Sequence, residues 1–458
     1  MTNISYSKEV PVVTSTDVLV IGGGPAGFAA AVASARNGAK TMLIETTGTL
    51  GGMATSGLVG PFMTCYDNDA EEQIVKGIFE ELVVRAEQKG GAIHPSKIKG
   101  LNSYASYYYR SHQHVTPYQS EIIAVTMDEM ALEAGVDILF YTRVCDCVVK
   151  DGKIDYVVVA MKEGLRAIKA NIYIDCTGDA DVAYFAGVDF CLGDKETGAM
   201  QPATLFFEVG NIDREKYIGE LEAHKHELDN NFRNCFSWYV DEARKNGDWH
   251  IPRNELGNYE QNIPGRFKIN TTRVIGIDGT KSEDLTRAHI ECRKQVQEIL
   301  NFMKKYIPGC ENVQLIQVAP VIGVRETRHI VGMYELTDHD ILNRAIFDDA
   351  ICTFGYAVDV HAPDGSGGVF ATVDKYYTIP YRCLVPKGCD NLLVAGRSIS
   401  GSSYAAASFR VMPCCMALGQ AAGTAAAMVS KEGKRPIDVD IKALQQKLVE
   451  QGAVIKKN

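Results

Sequence analysis

The sequence predicts an α/β fold, and three observations lead to that prediction. A short apolar strand at 18–21 runs into the glycine-rich stretch 22–27. A helix of small residues follows from about Pro25 to Arg36, and the next apolar run ends on Glu45. Far along the chain, 391–398 is a strand that enters a turn before a second small-residue helix. Strands that alternate with helices in this way form a largely parallel sheet covered by helices.

The glycine spacing at the start of this fold predicts a dinucleotide site in a Rossmann-type unit. In Gly22-x-Gly24-x-x-Gly27 the glycines allow a tight turn, close approach of backbone to a pyrophosphate, and close packing of helix on strand. The helix N-terminus offers N–H groups and the positive end of its dipole to that anion. Glu45, about 20 residues on, can bind ribose hydroxyls. A plain glycine-rich turn is the alternative, and NAD and FAD are equally compatible with this stretch alone.

The composition narrows the classes of partner. The 458 residues are 46% hydrophobic and 23% charged, with a net charge of -10 and no dense run of lysine and arginine. We therefore expect no nucleic-acid partner. No apolar run reaches the roughly 18 residues that span a bilayer, and residues 1–17 lack the apolar centre of a signal peptide. The expectation is a cytoplasmic protein without a membrane partner.

The cysteines and two histidines do not favour a metal site. The thirteen cysteines are scattered and include no CxxC pair, so most should be buried thiols. Cys145 and Cys147 share one face of a predicted strand, where two small core residues are favoured over a redox pair or half a metal site. His112 and His114 could bind a metal or attach a cofactor covalently, but no ligand cluster accompanies them. We expect no metal.

The residue composition and the periodicity of the chain change twice along the sequence. This predicts a domain that is split by an insertion. Residues 1–190 are predicted to be the N-terminal part of a nucleotide-binding domain, with a helical, tyrosine-rich insert at about 61–120. Residues 191–380 differ in composition and periodicity and are predicted to form a mixed α+β substrate domain. Residues 381–458 resemble residues 1–190 again and are predicted to be the C-terminal part of the nucleotide-binding domain. The prediction is a Rossmann-type domain with an inserted mixed α+β domain.

Periodicity predicts several elements within these regions. Helices are expected at about Asp69–Glu87, Glu121–Glu133 and Glu283–Tyr306. Ser282 can cap the last of them. The Asp151-Gly152 turn joins two strands into a hairpin, because Asp-Gly is a strong turn signal. Residues 211–262 are polar and show few periodic segments.

Six segments, spread over almost the whole chain, carry a family resemblance. They are IGGGPAGFAAAVASARNGAKTMLIE, GGMATSG, CTGDAD, GVRETRHIVG, IPYRCLVPKG, and NLLVAGRSIS with RVMPCCMALGQAAGTAA. Together they resemble the FAD-dependent oxidoreductases of the glutathione-reductase and fumarate-reductase type. They are more closely similar to the bacterial single-chain group called FAD-dependent oxidoreductase. The resemblance implies FAD rather than NAD in the Rossmann-type part.

The resemblance also implies roles for individual residues. It implies contacts to FAD at Gly22, Gly24, Pro25, Ala26, Gly27, Glu45, Gly52, Met53, Ala54, Val144, Thr177, Gly178, Asp179, Gly396, Arg397 and Gly419. In such folds the loop around Met53 lies beside the flavin, and the helix after Pro413 points its positive end at the flavin. The sequence departs from the family pattern twice. Arg397 stands where many flavoproteins have an acid, and no histidine follows it where relatives typically carry one.

Candidates for the chemistry lie elsewhere in the chain. Arg325 and Arg328 are three residues apart and could share one helix face, where they would clamp a carboxylate or contact the flavin. A surface or interdomain ion pair, for example with Glu326, is the alternative. His361 ends a predicted strand before a glycine-rich loop and is a candidate for proton transfer, with a structural role as the alternative. Tyr404 and Arg410 fall close to the isoalloxazine in such folds, although packing or ion pairing would also explain them.

These inferences predict an FAD-dependent oxidoreductase, a dehydrogenase or reductase, that transfers a hydride between a small polar metabolite and flavin N5. Arg325 would orient the substrate and His361 would exchange the proton. GxGxxG occurs once and no redox-active cysteine pair is evident, so we expect a separate electron donor or acceptor. A flavin-dependent synthase or modifying enzyme and a non-catalytic FAD-binding sensor are the alternatives. A homo-oligomer is compatible with the sequence.

Overall fold

The structure is a computed structural model that describes residues 4–100, 102–107, 112–224, 228, 235–362 and 368–456. Its strands are β1 (Val12–Ile21), β2 (Thr41–Ile44), β3 (Asp137–Leu139), β4 (Arg143–Lys150), β5 (Lys153–Met161), β6 (Gly164–Asp175), β7 (Phe190–Leu192), β8 (Phe207–Gly210), β9 (Asn258–Glu260), β10 (Phe267–Ile269), β11 (Gln314–Val318), β12 (Arg328–Ile330), β13 (Ala350–Phe354), β14 (Val358–His361), β15 (Gly368–Ala371), β16 (Tyr377–Pro380) and β17 (Leu392–Val394). Its helices are α1 (Pro25–Arg36), α2 (Ile78–Gln88), α3 (Ser120–Glu133), α4 (Asp181–Phe185), α5 (Arg214–Ala223), α6 (Ser237–Lys245), α7 (Ser282–Tyr306), α8 (Asp338–Leu342), α9 (Ser403–Phe409), α10 (Met412–Glu432) and α11 (Ile441–Glu450).

A seven-stranded sheet lies at the centre of the fold, in the order β3-β2-β1-β6-β5-β4, with β17 also paired to β6. Strands β3, β2, β1, β6 and β17 run parallel to their neighbours. Strands β4 and β5 add an antiparallel hairpin to β6. The last four residues of β1, 18–21, are a continuous apolar run and fully buried, because both faces of the sheet are covered there. This architecture confirms the predicted α/β fold.

The parallel strands end together at one edge of the sheet. Ile21, at the end of β1, pairs with Ile44 of β2 and with Asp175 of β6. Val394, at the end of β17, pairs with the same Asp175. Open sheets of this kind bind ligands at the carboxyl ends of their strands. The register therefore brings the turns that follow four strands to one place.

Helices α1 and α10 pack unusually close to each other beside this sheet. A side chain at Gly419 or Gly423 of α10 would collide with the carbonyl oxygen of Ala26 or Ala30 of α1. Only glycine permits such an approach of two helix backbones. The sequence analysis predicted a cofactor contact at Gly419, but its position is filled by the helix contact.

Helix α10 is also, among the described residues, the one helix long and apolar enough to cross a membrane. That criterion concerns length and composition only, and 89% of the apolar window is buried inside the protein. The burial matches the packing of α10 against α1 and the central sheet. A core helix accounts for its apolar character.

A second sheet, in the order β11-β8-β10-β9, is antiparallel and has its own hydrophobic core. Helix α7 supplies Val296 and Ile299 to this core, and the strands supply Phe207 and Phe267. The predicted helix at 283–306 is confirmed, but Lys281 is its N-cap and no side chain caps it. Ser282 is instead the first residue of the helix.

The structure also contains helices that the sequence analysis missed, among them α5 and α6. Both lie in the polar stretch 211–262, where few periodic segments were evident. Helix α5 buries only Tyr217 and Leu221, and α6 buries only Val240 and Ala243. Two buried side chains do not make the repeating stripe by which amphipathic helices are predicted.

Helix α2 begins at Ile78 rather than near Asp69, later than predicted. Asp67 starts a turn instead, because its carboxylate accepts the backbone N–H of Glu71 at 2.8 Å. Gly77 then adopts a positive φ of 66° immediately before the helix. Asp commonly forms such local bonds in competition with a helix.

The predicted hairpin and the helix at 121–133 are confirmed as β4–β5 and α3. Asp151 and Gly152 both have positive φ, 50° and 73°, as a two-residue type I′ turn requires. In the tyrosine-rich insert, Tyr118 is buried and stacks on Phe62 with ring centroids 4.2 Å apart. Tyr108 and Tyr109 lie outside the described residues.

Candidate active site

A cleft of about 400 Å³ opens where the parallel strands end. Of the residues predicted to bind cofactor or take part in chemistry, its walls contain Gly22, Gly24, Pro25, Ala26, Glu45, Gly52, Met53, Val144, Thr177, Gly178, Asp179, Gly396, Arg397 and Arg410. Most come from the turns after β1, β6 and β17 and from the loop after β2, whereas Val144 comes from β4 and Arg410 lies between α9 and α10. Segments far apart in sequence therefore share one wall because the strands end in register.

The first turn leaves an open place at the N-terminus of α1. Gly24 is the N-cap of α1, has no capping side chain, and would meet nothing within 4 Å if it carried a Cβ. Gly22 has φ +98°, and a Cβ there would lie 2.5 Å from the carbonyl oxygen of Cys176. The free N–H groups of the first helical turn thus face space into which an anion fits.

The third glycine of the motif serves packing rather than the cleft wall. A Cβ at Gly27 would collide with the carbonyl oxygen of Gly22, and it would also approach Cys176. Gly27 is absent from the wall, contrary to the predicted pyrophosphate contact. It matches the other predicted purpose of this glycine, the close packing of helix on strand.

Glu45 lies at the end of β2 with its carboxylate held by backbone. Its Oε2 accepts the N–H of Gly23 at 2.7 Å, and its Oε1 accepts the N–H of Thr47 at 2.7 Å. An ionised carboxylate offers about four lone-pair sites. Both oxygens therefore keep acceptor capacity for a ribose hydroxyl in the cleft.

The glycine loop after β2 folds back onto the first turn. Gly51 donates its N–H to the carbonyl oxygen of Gly23 at 2.8 Å, and a Cβ at Gly52 would lie 3.0 Å from the Cα of Gly24. Met53 reaches the cleft wall. Ala54 is fully buried and accepts a hydrogen bond from Ser120, so it lies behind the wall, contrary to the prediction.

An ion pair joins the turns after β6 and β17 in the cleft wall. Arg397 Nη2 lies 2.7 Å from Asp179 Oδ1, and Thr327 Oγ1 donates to the same oxygen at 2.7 Å. The Nε of Arg397 is buried and has no hydrogen-bond partner. A buried donor of this kind calls for an acceptor, which a cofactor in the cleft can supply.

The last part of the wall is the N-terminus of α10. Met412 and Cys415, both in its first turn, line the cleft. The helix is 21 residues long with proline in its first turn. Its positive dipole end therefore faces the cleft, as predicted, and favours negative charge there.

The comparison with known families agrees with this geometry. Residues 17–448 match the family described as FAD dependent oxidoreductase. The chain belongs to this family. FAD is its cofactor, and the wall fits that group: two helix N-termini, an open glycine cap and a buried arginine donor face one cleft.

Individual relatives of this FAD-dependent enzyme are distant. The chain is 27% identical over 190 residues to a thiamine thiazole synthase of Pyrococcus abyssi (strain GE5 / Orsay), spanning 40% of this chain and 65% of that protein, less than two thirds of its length. A geranylgeranyl bacteriochlorophyll reductase-like protein of Thermoplasma acidophilum is 14% identical, with a TM-score of 0.41 over 97% of this chain and 83% of the other. The p-nitrophenol 4-monooxygenase PnpA of Pseudomonas putida DLL-E4 is 11% identical, with a TM-score of 0.47 over 95% and 84%.

Arg410 also belongs to a buried polar site beyond the cleft, together with Gln201, Asp359 and His361. Its Nη1 donates to Gln201 Oε1 at 2.8 Å and its Nη2 donates to the carbonyl oxygen of Asp359 at 2.7 Å. The backbone N–H of His361 donates to the same Oε1 of Gln201 at 3.0 Å. Arg410 is thus both part of the cleft wall and an anchor of the strand that carries His361.

His361 is buried and both of its ring nitrogens have partners. Arg273 Nη2 lies 3.0 Å from Nδ1, and Asp359 Oδ2 lies 3.3 Å from Nε2. Because a guanidinium only donates, Nδ1 accepts and Nε2 carries the proton. Burial, together with the nearby Arg325 and Arg253, holds the pKa of His361 well below its usual range, although Asp359 opposes this. The imidazole is therefore neutral at physiological pH.

Arg325 and Arg328 do not share a helix face, contrary to the prediction. Arg328 begins strand β12 and binds Asp181 at 2.9 Å, with its guanidinium over the ring of Tyr184. Arg325 points elsewhere and donates to Thr204 Oγ1 at 2.8 Å and to a backbone carbonyl. Arg328 begins a strand and Arg325 precedes it outside any helix, so the three-residue spacing does not bring the two side chains together.

Four arginines converge beside His361. Burial lowers the pKa of Arg325 well below its usual range, and the next causes are the positive charges of Arg410, Arg273 and Arg253. Asp359 is the opposing acid. A site in which cations repel one another in a low-dielectric surrounding favours an anionic ligand.

Tyr404 does not join this site. It lies in α9, half-buried against the main hydrophobic core, and is absent from the cleft wall. Tyr404 therefore packs against the core, which was the alternative interpretation of this residue.

Glu326 does not pair with Arg325. It lies 3.3 Å from His329 instead.

The sequence analysis missed four residues of the polar site: Gln201, Arg253, Arg273 and Asp359. Asp359 had a signal, because it lies two residues before His361 on one strand and i and i+2 share a face. The other three come from stretches without periodicity or motif. Among the described residues, no group of three or more His, Cys, Asp and Glu could hold a metal.

Proposed function

We propose that this enzyme oxidises or reduces a small carboxylate-bearing metabolite by hydride transfer, in a pocket between Arg410, Arg325 and His361. The observation that carries the proposal is the convergence of four arginines, two buried and two half-buried, on a buried histidine next to the cofactor cleft. Bound FAD supplies a hydride acceptor or donor at its N5 atom. The remaining work of binding, orientation and proton exchange falls to these side chains.

The arginines suit a carboxylate in both charge and shape. A guanidinium presents a planar fork of donors that matches two carboxylate oxygens. Thr204 and a backbone carbonyl hold one edge of Arg325, so its direction is fixed before a ligand arrives. Such preorganisation reduces the entropy lost on binding. Arg410, which also lines the cleft, would bring the carboxylate-bearing group next to the cofactor.

His361 would hold the proton that accompanies the hydride. Its Nδ1 lone pair accepts from Arg273, so a substrate hydroxyl or amine must take the place of Arg273 Nη2 at that nitrogen. His361 then accepts the proton on Nδ1, while Asp359 at Nε2 stabilises the resulting imidazolium. An acid that orients a histidine base in this way is a common device of general base catalysis.

We propose the cofactor contacts from the geometry of the cleft wall. The N-terminus of α1 at Gly24 would hold the pyrophosphate, Glu45 the adenosine ribose, and Arg397 a cofactor oxygen through its buried Nε. Because GxGxxG occurs once in the sequence, we also propose that electrons pass to or from a separate carrier rather than through a nicotinamide site in this chain.

The test is anaerobic bleaching of the bound flavin by matched pairs of compounds. Hydroxy acids and amino acids should bleach it, whereas their amides and the corresponding alcohols should not. Arg325→Met should raise KM more than it lowers kcat, because the arginine binds substrate in ground and transition states alike. His361→Gln should lower the rate of flavin reduction by roughly 100-fold or more.

The matched control is Arg382→Met. Arg382 pairs with Asp349 at the surface and is absent from the cleft wall, so this variant should behave as wild type. Equal bleaching by acids and by their neutral analogues would refute the carboxylate assignment. An unchanged rate in His361→Gln would remove this residue from the proton transfer.

A synthase function is a second candidate, favoured by the similarity to the thiazole synthase. A synthase turns substrates over without net change in the oxidation state of added electron carriers. Product formation in the absence of any carrier, with one product per substrate and no lasting bleaching, would support it over the oxidoreductase proposal.

A further inference from the structure

A second pocket, of about 230 Å³, lies apart from the FAD cleft and shares no lining residue with it. Its walls include Cys191, His329, Met333, Glu335, Lys387 and Ser400. Strands β7 and β12 pair antiparallel there, with Cys191 directly opposite His329. The flavin chemistry proposed above uses neither residue.

The strand pairing brings the thiol and the imidazole to one side of the two-stranded ribbon. Directly opposed residues of an antiparallel pair project to the same face, with Cβ atoms about 4.5–5.5 Å apart. Arg328, the neighbour of His329, projects to the other face, where its guanidinium lies over the ring of Tyr184. Cys191 and His329 therefore share the pocket by register, within reach of each other through ordinary side-chain rotation.

The surroundings of His329 suit a general base. It is only 4% exposed, and its Nε2 lies 3.3 Å from Oε1 of Glu326, which is itself buried. Its Nδ1 is buried and has no hydrogen-bond partner. The carboxylate keeps the proton on Nε2 and leaves the lone pair on Nδ1. An unpartnered acceptor of this kind, in a pocket wall, calls for a donor.

Cys191 differs from the other cysteines in this setting. All thirteen are free, and only Cys145, Cys147 and Cys191 are half-buried. The thiols of Cys145 and Cys147 donate to backbone carbonyls, and burial raises the pKa of both. Cys191 is the half-buried thiol that lines a pocket together with an imidazole.

We propose that Cys191 is a nucleophilic thiol, deprotonated by the His329–Glu326 pair when its side chain rotates towards Nδ1, that reacts with small disulfides in this second pocket. Nucleophile, base and orienting acid in this order form the arrangement by which proteins activate a weak nucleophile. The Cys191 proton passes to His329 Nδ1, and the thiolate attacks one sulfur of the disulfide. A Sγ–S bond forms, the S–S bond of the reagent breaks, and the released thiolate takes up the proton. Cys191 is oxidised to a mixed disulfide and the reagent is reduced.

The experiment uses the FAD-loaded protein and dipyridyl disulfide at neutral pH. Release of pyridinethione gives the rate, and peptide mass spectrometry identifies the modified cysteine. Cys191 should be modified at least roughly tenfold faster than Cys145 or Cys147, because only it has a base beside it. Cys191→Ser should abolish the fast phase, whereas Cys145→Ser should retain it.

Variants of the base separate activation from mere exposure. His329→Gln and Glu326→Gln should each slow the fast phase by roughly 10- to 100-fold, with flavin absorbance reporting that the fold is intact. In His329→Ala, added imidazole should restore part of the rate by occupying the vacated space. His339→Gln, a change at an exposed imidazole, is the matched control and should react as wild type.

The proposal is overturned if Cys191 reacts no faster than Cys145. It is equally overturned if the fast phase persists in both His329→Gln and Glu326→Gln. Should one of these variants lose its flavin, the other decides the matter. None of these outcomes depends on the identity of the flavin substrate.

Discussion

Arg397 and Asp179 form an ion pair, with Nη2 2.7 Å from Oδ1, that bridges the turns after two parallel strands in the wall of the FAD cleft. The pair lies where the strands β6 and β17 end in register. Arg397 occupies the position at which many flavoproteins carry an acid. In this enzyme Asp179, in the turn after β6, supplies the acid, and the cation stands in the turn after β17.

This pair predicts that Arg397 contributes to FAD affinity. Arg397→Met removes a charged donor whose Nε is buried without a partner, and hydrogen bonds to charged groups contribute about 1.5–3 kcal/mol. The dissociation constant for FAD should rise by about 10- to 100-fold, as measured by quenching of flavin fluorescence. Arg382→Met, which removes a surface partner of Asp349, should leave the affinity unchanged. Equal losses in both variants would contradict a specific contribution of Arg397.

The second and third glycines of the motif, Gly24 and Gly27, should respond differently to the same substitution. Gly24→Val adds a side chain in open space and in an allowed backbone conformation, so the protein should fold but fail to bind FAD. Gly27→Val drives a side chain into the backbone of Gly22, so thermal stability should fall sharply. Circular dichroism and flavin absorbance of the two variants test this contrast. A Gly24→Val protein that retains its flavin would show that the pyrophosphate lies elsewhere.

The FAD cleft could be predicted well from the sequence because its residues lie in local motifs. Strand, glycine turn and helix N-terminus are adjacent in the chain, so Gly22, Gly24 and Glu45 fall within one stretch. Two predicted cofactor contacts within these motifs do not line the cleft, because burial excludes them and burial is not visible in the local sequence. Ala54 and Gly419 sit within or beside glycine-rich stretches, yet Ala54 is buried with its carbonyl oxygen bound by Ser120 Oγ, and Gly419 packs against the backbone of Ala26.

The polar site beyond the cleft could be predicted only in part. His361 and Arg410, which were singled out from their positions beside a loop and a helix start, both lie in this site, and their catalytic roles stay predictions. Gln201 was missed, although its single Oε1 accepts from both of them, because nothing in its own neighbourhood reveals a long-range partner. Arg325 and Arg328 were assigned to one helix face from their spacing alone. The spacing fits a helix, but the antiparallel pairing of β12 with β7 overrides that local preference.

The contact between α1 and α10 predicts a stability effect separate from catalysis. Gly423→Ala would place a methyl group against the carbonyl oxygen of Ala30, and overpacking of this kind typically costs about 1–3 kcal/mol. Gly219→Ala is the matched control. Gly219 lies within helix α5 and has nothing within 4 Å of its Cβ position, so this change should stabilise the protein by about 0.5–1 kcal/mol. Urea unfolding of both variants measures the free energies. Equal effects of the two substitutions would rule out tight packing at Gly423.

The buried, neutral state of His361 predicts how stability depends on pH. Burial, with Arg325 and Arg253 nearby, lowers the pKa of His361 in the folded protein well below its usual value. As the pH falls through about 6.5, the unfolded chain binds a proton at this residue and the folded protein does not, so the free energy of unfolding decreases. Between about pH 7.5 and about pH 5.5 this residue accounts for a loss of about 1.4 kcal/mol.

His361→Gln should remove that part of the pH dependence, because glutamine does not titrate. Urea unfolding of wild type and variant at the two pH values gives the difference directly, and titrations of other groups cancel in the comparison. The variant should lose less stability than wild type on acidification. An equal loss in both proteins would mean that His361 takes up its proton in the folded state as readily as in the unfolded chain.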